Sequence, residues 1–177
     1  MSQRPWLIVS KPLRPPFRDG STVLLRDLVR HLPPARTLAY LGDPAAPLRP
    51  AGDLVIGAPP AGYAPTLTDK LRALAAIVRH ARAPVHLSFT PGKATAAVVA
   101  LLRALQPRRR FVQSLMSSHG CEGWTKLLRP LDRVVALSRI TARRLQDAGV
   151  PAEKIVTIHP AVAAAAVDPP AAVAARR

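Results

Sequence analysis

Residues able to bind anions and hydroxyl groups lie close together near the start of the chain. They are Lys11, Arg14, Arg18, Asp19, Gly20 and Ser21. The apolar run 6–10 before them predicts a strand, and apolar positions spaced along 24–32 after them predict one face of a helix. In a doubly wound sheet, such a strand-to-helix turn lies at the edge where ligands bind. We therefore predict that Arg18, Asp19, Gly20 and Ser21 bind substrate, while a purely capping role for Asp19 remains open.

Two well-known nucleotide motifs do not match this sequence. The turn around Gly20 lacks G-x-G-x-x-G, which disfavours dinucleotide binding. Thr90-Pro91-Gly92-Lys93 is superficially similar to a phosphate loop, but Leu87 and Ala94 occupy positions where the Walker pattern needs Gly and Ser or Thr. Nucleoside-triphosphate hydrolysis is therefore excluded, and Thr90-Pro91 instead predicts a helix start with Thr90 as N-cap.

His119 follows the predicted strand 111–116 and should lie at the same sheet edge, where a histidine could act on a substrate. A Cys121–His119 nucleophile pair is disfavoured, because sequence neighbours rarely align for proton transfer and no acidic residue to orient the histidine is apparent. A structural loop histidine is the alternative. The histidines of the chain show no metal-ligand spacing, so we predict neither a metal nor a cofactor.

The alternation of short apolar runs with longer amphipathic segments predicts an α/β fold, a doubly wound Rossmann-like parallel sheet flanked by helices. The predicted strands are 6–10, 37–41, 53–57, 85–89, 111–116, 133–137 and 154–158. The predicted helix N-caps are Ser21, Thr66 or Thr68, Thr90 and Ser138, and Gly149 should close the last helix. Residues 1–160 form the predicted domain, and the Ala/Val/Pro segment 161–177 is expected to be a linker or a disordered tail.

The net charge of +16 is the most pronounced feature of the composition, and 26 of the 177 residues are Lys or Arg. A genome rich in Arg, Ala and Pro codons would explain it without a function; a basic face for nucleic acid, anionic lipid or phosphate is the functional explanation. Cys121 is the only cysteine, so no internal disulfide can form and a cytoplasmic setting fits. No apolar run reaches the length of a membrane span.

The segment 127–162 has the most specific pattern. A strand that ends in Ser138 leads to a helix, and Gly149-Val150 follows that helix. A polar turn comes next, then Lys154-Ile155, and then a strand whose end includes Pro160 and Val162. This resembles the end of the N-terminal domain in family 4 glycosyltransferases, although Ala161 stands where that family usually has Gly. The front also resembles the family, with Asp19-Gly20 where Gly-Gly is frequent.

The resemblance implies one half of a GT-B architecture, in which two Rossmann-like domains face each other across a cleft. The N-terminal half would take the acceptor, and Ser138 joins the expected substrate-binding residues. The family's C-terminal half holds the nucleotide sugar, often with two Glu residues seven positions apart. The only glutamates here, Glu122 and Glu153, are too far apart, so that donor-binding half is expected to be absent from this sequence.

The expected activity is therefore retaining transfer of a sugar from a nucleotide-sugar donor, by a chain that needs its missing half. The acceptor would be a sugar or a lipid-linked sugar, with Lys11 and Arg14 attracting an anionic acceptor or an anionic membrane surface. Many relatives carry a His at the end of the strand that corresponds to 111–116, a place that aligns with Met116 in this sequence. His119 follows three residues later and is the expected catalytic residue; the alternative is that this chain does without that His. The expected location is cytoplasmic, or peripheral at the inner face of the membrane.

A basic, non-enzymatic protein that binds nucleic acid or a partner is the rival class. The chain has two Trp, two Tyr and three Phe, and none is paired within a basic motif. This argues against stacking on single strands, so nucleic acid is the less favoured partner.

Overall fold

The computed structural model describes residues 6–13, 15, 17, 19–32, 38–45, 47–49, 54–57, 66–116 and 123–160. The strands are β1 (Trp6–Leu13), β2 (Leu38–Gly42), β3 (Leu54–Gly57), β4 (Val85–Ser88), β5 (Phe111–Leu115), β6 (Arg133–Ala136) and β7 (Ile155–Thr157). The helices are α1 (Gly20–His31), α2 (Leu67–Arg79), α3 (Lys93–Leu105), α4 (Trp124–Leu128) and α5 (Arg139–Asp147), and a 3-10 turn spans Ala152–Lys154. No helix in these ranges is long and apolar enough to cross a membrane.

All seven strands pair in parallel in the order β3-β2-β1-β4-β5-β6-β7, which confirms the predicted doubly wound sheet. The strand ends agree with the prediction within a few residues. The largest difference is in β1, which continues through Leu13 after its register with β2 shifts between Ile8 and Leu13. Lys11, predicted to lie in the following loop, is therefore part of the strand.

Each face of the sheet has its own apolar core. On one face, strand residues such as Leu87, Phe111 and Val134 pack in a single cluster with side chains from α2, α3, α4 and α5. On the other face, Ile8 and Tyr40 pack with Leu25 and Val29 of α1. Right-handed crossovers explain the division, because the chain moves outward from β1 in one direction through α1 and in the other through α3, α4 and α5.

The helix starts only partly follow the predicted caps. Thr66 caps α2 with a complete capping box, and Ser138 caps α5, as predicted. Ser21 is wrong as the cap of α1, because the carboxylate of Asp19 accepts the Thr22 backbone N–H. Thr90 is also wrong: α3 starts later, with Gly92 at the N-cap and no side-chain cap bond.

The last helix closes at Gly149, which adopts a φ of 86°, a conformation that favours glycine and agrees with the prediction. The short helix α4 was not predicted, because five residues are too few to show a period.

Arg109 fastens the C-terminal ends of α2 and α3 to each other. Its side chain is 3% exposed and donates to the carbonyl oxygens of Ile77 at 2.7 Å and His80 at 3.1 Å. It also donates to Gln106 Oε1 at 2.8 Å, next to the end of α3. Burial lowers the pKa of this guanidinium. The carbonyl groups at a helix C-terminus carry partial negative charge, which stabilises the buried cation.

We predict that Arg109→Ala lowers the free energy of unfolding by about 2–4 kcal/mol, because the carbonyl oxygens of Ile77 and His80 lose the guanidinium that bonds to them and a cavity opens. Arg108→Ala is the matched control, since Arg108 is the exposed preceding residue and should change stability by less than about 0.5 kcal/mol. Urea unfolding of both variants measures the difference. Equal stability of the two would contradict a fastening role for Arg109.

Candidate functional site

Three of the predicted site residues meet at the carboxyl end of β1. Lys11 Nζ lies 3.0 Å from Asp19 Oδ2, and the Ser21 hydroxyl donates to Asp19 Oδ1. The Thr22 N–H donates to that same oxygen at 2.8 Å, and the Thr22 hydroxyl donates to the Asp19 carbonyl oxygen at 2.9 Å. We call Lys11, Asp19 and Ser21 the β1 cluster. It lies beside the β1–β4 pair, where the strand order reverses and doubly wound sheets bind their ligands.

The β1 cluster uses its own carboxylate where an anion could otherwise bind. Asp19 occupies the N-terminus of α1 and takes one of its free N–H groups. A phosphate approaching this helix end would meet a negative charge already in place, which Lys11 only partly offsets. The geometry therefore suits a neutral, hydroxyl-bearing ligand better than a dianion at this helix end.

Gly20, the first residue of α1, faces open space. A Cβ built at this position would meet no other atom within 4 Å. The fold therefore does not require glycine here for packing. A larger side chain would fit, but it would project into the space that a ligand would use.

Ser138 lies away from the β1 cluster. It follows β6, and β4 and β5 separate that strand from β1, so about 14 Å of sheet lies between them. Its hydroxyl accepts the Thr141 N–H at 3.0 Å and is 2.9 Å from the Thr141 hydroxyl. The structure thus gives Ser138 a capping role and does not bring it to the other predicted residues. Arg14, Arg18 and His119 lie outside the described residues.

A row of buried serines crosses the strands next to the β1 cluster. Ser10, Ser88 and Ser114 are in register on β1, β4 and β5, and each is at most 6% exposed. Ser10 Oγ donates to the Lys11 carbonyl oxygen at 2.7 Å. Ser88 Oγ is buried without a hydrogen-bond partner among the described residues. No local pattern in the sequence singles out this row, although each serine lies at or near the end of a predicted strand.

His86 joins the row through Ser114, with 2.8 Å between His86 Nε2 and Ser114 Oγ. The two residues lie on the neighbouring strands β4 and β5, on the face that carries α1. Burial lowers the pKa of His86, so the imidazole is neutral near neutral pH. Sequence reasoning missed this pair because only strand pairing brings residues 28 positions apart into contact.

A cavity of about 580 Å³ lies beside α1 on the same face of the sheet. Most of its wall is apolar, including Trp6, Leu28 and Leu137, and the His86–Ser114 pair is among its few polar groups. This volume falls in the range of small-molecule sites. Within the described ranges, no group of three or more metal-ligating side chains comes together.

We predict that Asp19→Ala lowers the free energy of unfolding by about 1–2 kcal/mol, because α1 loses its cap. Asp19→Asn keeps a capping oxygen and loses the charge, so it should cost much less. Urea denaturation separates the two. A similar loss in both variants would show that the ion pair with Lys11, and not the cap, stabilises this turn.

We predict that folding stability decreases as the pH falls below about 6.5, because unfolding releases His86 to an environment where it binds a proton more readily. The stability is fully present above the unfolded pKa and is lost as the pH falls toward the lower folded pKa. His86→Gln should reduce this dependence. Urea midpoints at about pH 7.5 and 5.5 test this, and an unchanged pH dependence in His86→Gln would refute it.

The sequence matches no protein-family model and no curated relative. Among solved structures, Anabaena Alr3699/HepE in complex with UDP-glucose is similar with a TM-score of 0.52 and 16% identity, over 88% of this chain and 44% of that chain. Its complex with UDP and glucose gives 0.52 and 17%, over 89% and 45% of the two chains. Its complex with UDP gives 0.53 and 17%, over 89% and 44%.

The chain therefore spans less than half the length of the protein that it resembles. At these identities the likeness concerns the fold alone. The described residues have a Rossmann-like, glycosyltransferase-like α/β fold, which confirms the predicted fold class and leaves membership of family 4 a prediction.

Proposed function

We propose that this chain is the acceptor-binding half of a retaining glycosyltransferase that uses a nucleotide-sugar donor. The observation that carries the proposal is the fold match, because the matching structures of HepE contain UDP-glucose, or UDP with glucose. The second half of the enzyme would bind the donor. This chain alone would bind an acceptor and would not transfer sugar.

The space above Gly20 is the proposed acceptor site. The neighbouring hydroxyl of Ser21 and the ammonium group of Lys11 are suited to hydrogen-bond the hydroxyl groups of a sugar. The capping carboxylate of Asp19 favours a neutral sugar at the helix end. An anionic or lipid-linked acceptor would place its charge nearer to Lys11 and to Arg14, which lies outside the described residues.

Sugar transfer would depend mainly on how the enzyme positions the acceptor against the donor. Retaining transfer needs the acceptor hydroxyl held against the anomeric carbon while the leaving diphosphate is stabilised. A rigid sheet edge can hold the acceptor. In this proposal His119 lies near the reacting groups, as its position after β5 predicts, and Arg18 contributes a cation. The proposed location is the cytoplasm, with the acceptor either soluble or at the inner face of the membrane.

We predict that the chain binds simple methyl glycosides weakly, and that Gly20→Trp abolishes this binding because the indole fills the acceptor space. Gly20 has room for a side chain, so the variant should fold. Arg82→Trp is the matched control. It places the same new side chain at an exposed position just before β4, at the amino ends of the strands and away from the acceptor site. Saturation-transfer NMR with methyl glycosides of glucose, galactose, mannose and N-acetylglucosamine measures the binding.

Loss of sugar signals in Gly20→Trp but not in Arg82→Trp supports the proposal. Binding that is absent in the wild type, or equal in both variants, overturns it. Filter binding of single- and double-stranded nucleic acid over a range of salt tests the rival function. Tight binding that falls steeply with salt would favour that rival.

A further inference from the structure

The helix α2 exposes a continuous apolar stripe on the side away from the sheet. Leu67, Leu71, Leu74 and Val78 follow the spacing i, i+4, i+7, i+11, which places them on one face. Their exposures are 72%, 56%, 36% and 55%. The core side of the same helix uses the smaller set Asp69, Ala73 and Ile77. The larger aliphatic side chains of α2 thus point outward.

The helix α3 repeats this pattern with even fewer polar groups. Val98, Leu101 and Leu105 are 38%, 61% and 70% exposed. The other exposed positions of α3 after Lys93 are Ala94, Ala97, Ala100 and Ala104. A helix that is apolar nearly all round is normally covered on every side, and a large exposed apolar patch usually marks an interaction site.

The two exposed faces lie on the same side of the sheet. Ile77 of α2 packs in the same core cluster as Val99 and Leu102 of α3, so both helices cover the same face of the sheet. Arg109 also fastens their C-terminal ends together. We call the outer side chains of Leu67, Leu71, Leu74, Val78, Val98, Leu101 and Leu105 the α2–α3 surface.

Positive charge surrounds the α2–α3 surface. Exposed cations lie on both helices and in the adjoining turns: Lys70, Arg79, Arg82, Lys93 and Arg108. Asp69 is the only acidic residue between 66 and 110. It is 1% exposed and is hydrogen-bonded to Thr66 in the capping box, so it does not offset the outer charge.

We propose that the α2–α3 surface binds an anionic lipid bilayer. Leucines and valines would enter the interface while the surrounding Lys and Arg contact lipid phosphates, the combination that holds amphipathic helices on membranes. Charge complementarity selects this occupant over a second copy of the chain, since two such surfaces would place like charges opposite each other. The surface differs from the acceptor site at the sheet edge, and its binding does not depend on glycosyl transfer.

Flotation with vesicles of phosphatidylcholine alone, and with phosphatidylglycerol as about a third of the lipid, tests the proposal. The wild type should float only with the anionic vesicles. Leu71→Ser/Leu101→Ser should reduce the partition coefficient at least about tenfold, because apolar area no longer leaves water. Arg79→Gln should reduce it about fivefold, the effect of one cation near an anionic surface.

The helix α1 offers matched controls because it covers the opposite face of the sheet. Leu28→Ser and Arg30→Gln remove similar exposed groups there and should leave flotation unchanged. Circular dichroism and urea midpoints establish that each variant is folded. Losses in the α2 and α3 variants with unchanged α1 controls support the proposal.

Three results would overturn it: no flotation of the wild type, equal flotation with both vesicle types, or equal losses in the α1 controls. Binding that the serine variant retains in full would show attraction by net charge alone, which also contradicts the proposal. Because sugar binding is measured on the same chain without lipid, the acceptor proposal and the membrane proposal can fail separately.

Discussion

The fold depends on β1 pairing in parallel with both β2 and β4. A parallel pair needs a crossover, and crossovers are right-handed, so chain segments that leave β1 in opposite directions must pass over opposite faces of the sheet. The helix α1 consequently covers one face and the later helices cover the other. The same pairing creates the point where the strand order reverses, and this fixes the location of the β1 cluster.

At that point the structure differs from a phosphate-binding Rossmann turn. The first helix carries its own carboxylate at its N-terminus, held by Lys11, by the Ser21 hydroxyl and by the Thr22 N–H. Buried serines from three strands continue the polar region below it and lead to His86 and the cavity beside α1. Hydroxyl groups and a neutral imidazole are good partners for other hydroxyl groups, which agrees with a sugar as ligand.

On the other face of the sheet, α2 packs on the core with one set of side chains and exposes a different apolar set to solvent. The side of α2 that packs on the sheet carries Asp69, Ala73 and Ile77, and the leucines of α2 remain outside. Arg109 bonds to main-chain carbonyl groups at the end of α2 and to the side-chain oxygen of Gln106 at the end of α3. The outer surface of α2 and α3 is apolar and bordered by cations, and these properties suit a flat anionic partner.

The sequence by itself determined the seven strands, their parallel arrangement and two helix caps, because these depend on local periodicity and on side chains that bond within three residues, as at Thr66 and Ser138. It also located the turn at Asp19–Ser21. Only the tertiary structure decided the rest. Periodicity could not tell which apolar stripe of α2 faces the core, since α2 carries two apolar faces and only packing on the sheet decides between them. The His86–Ser114 contact, the buried bonds of Arg109 and the separation of Ser138 from the β1 cluster depend on strand order, and no local pattern encodes which strands become neighbours.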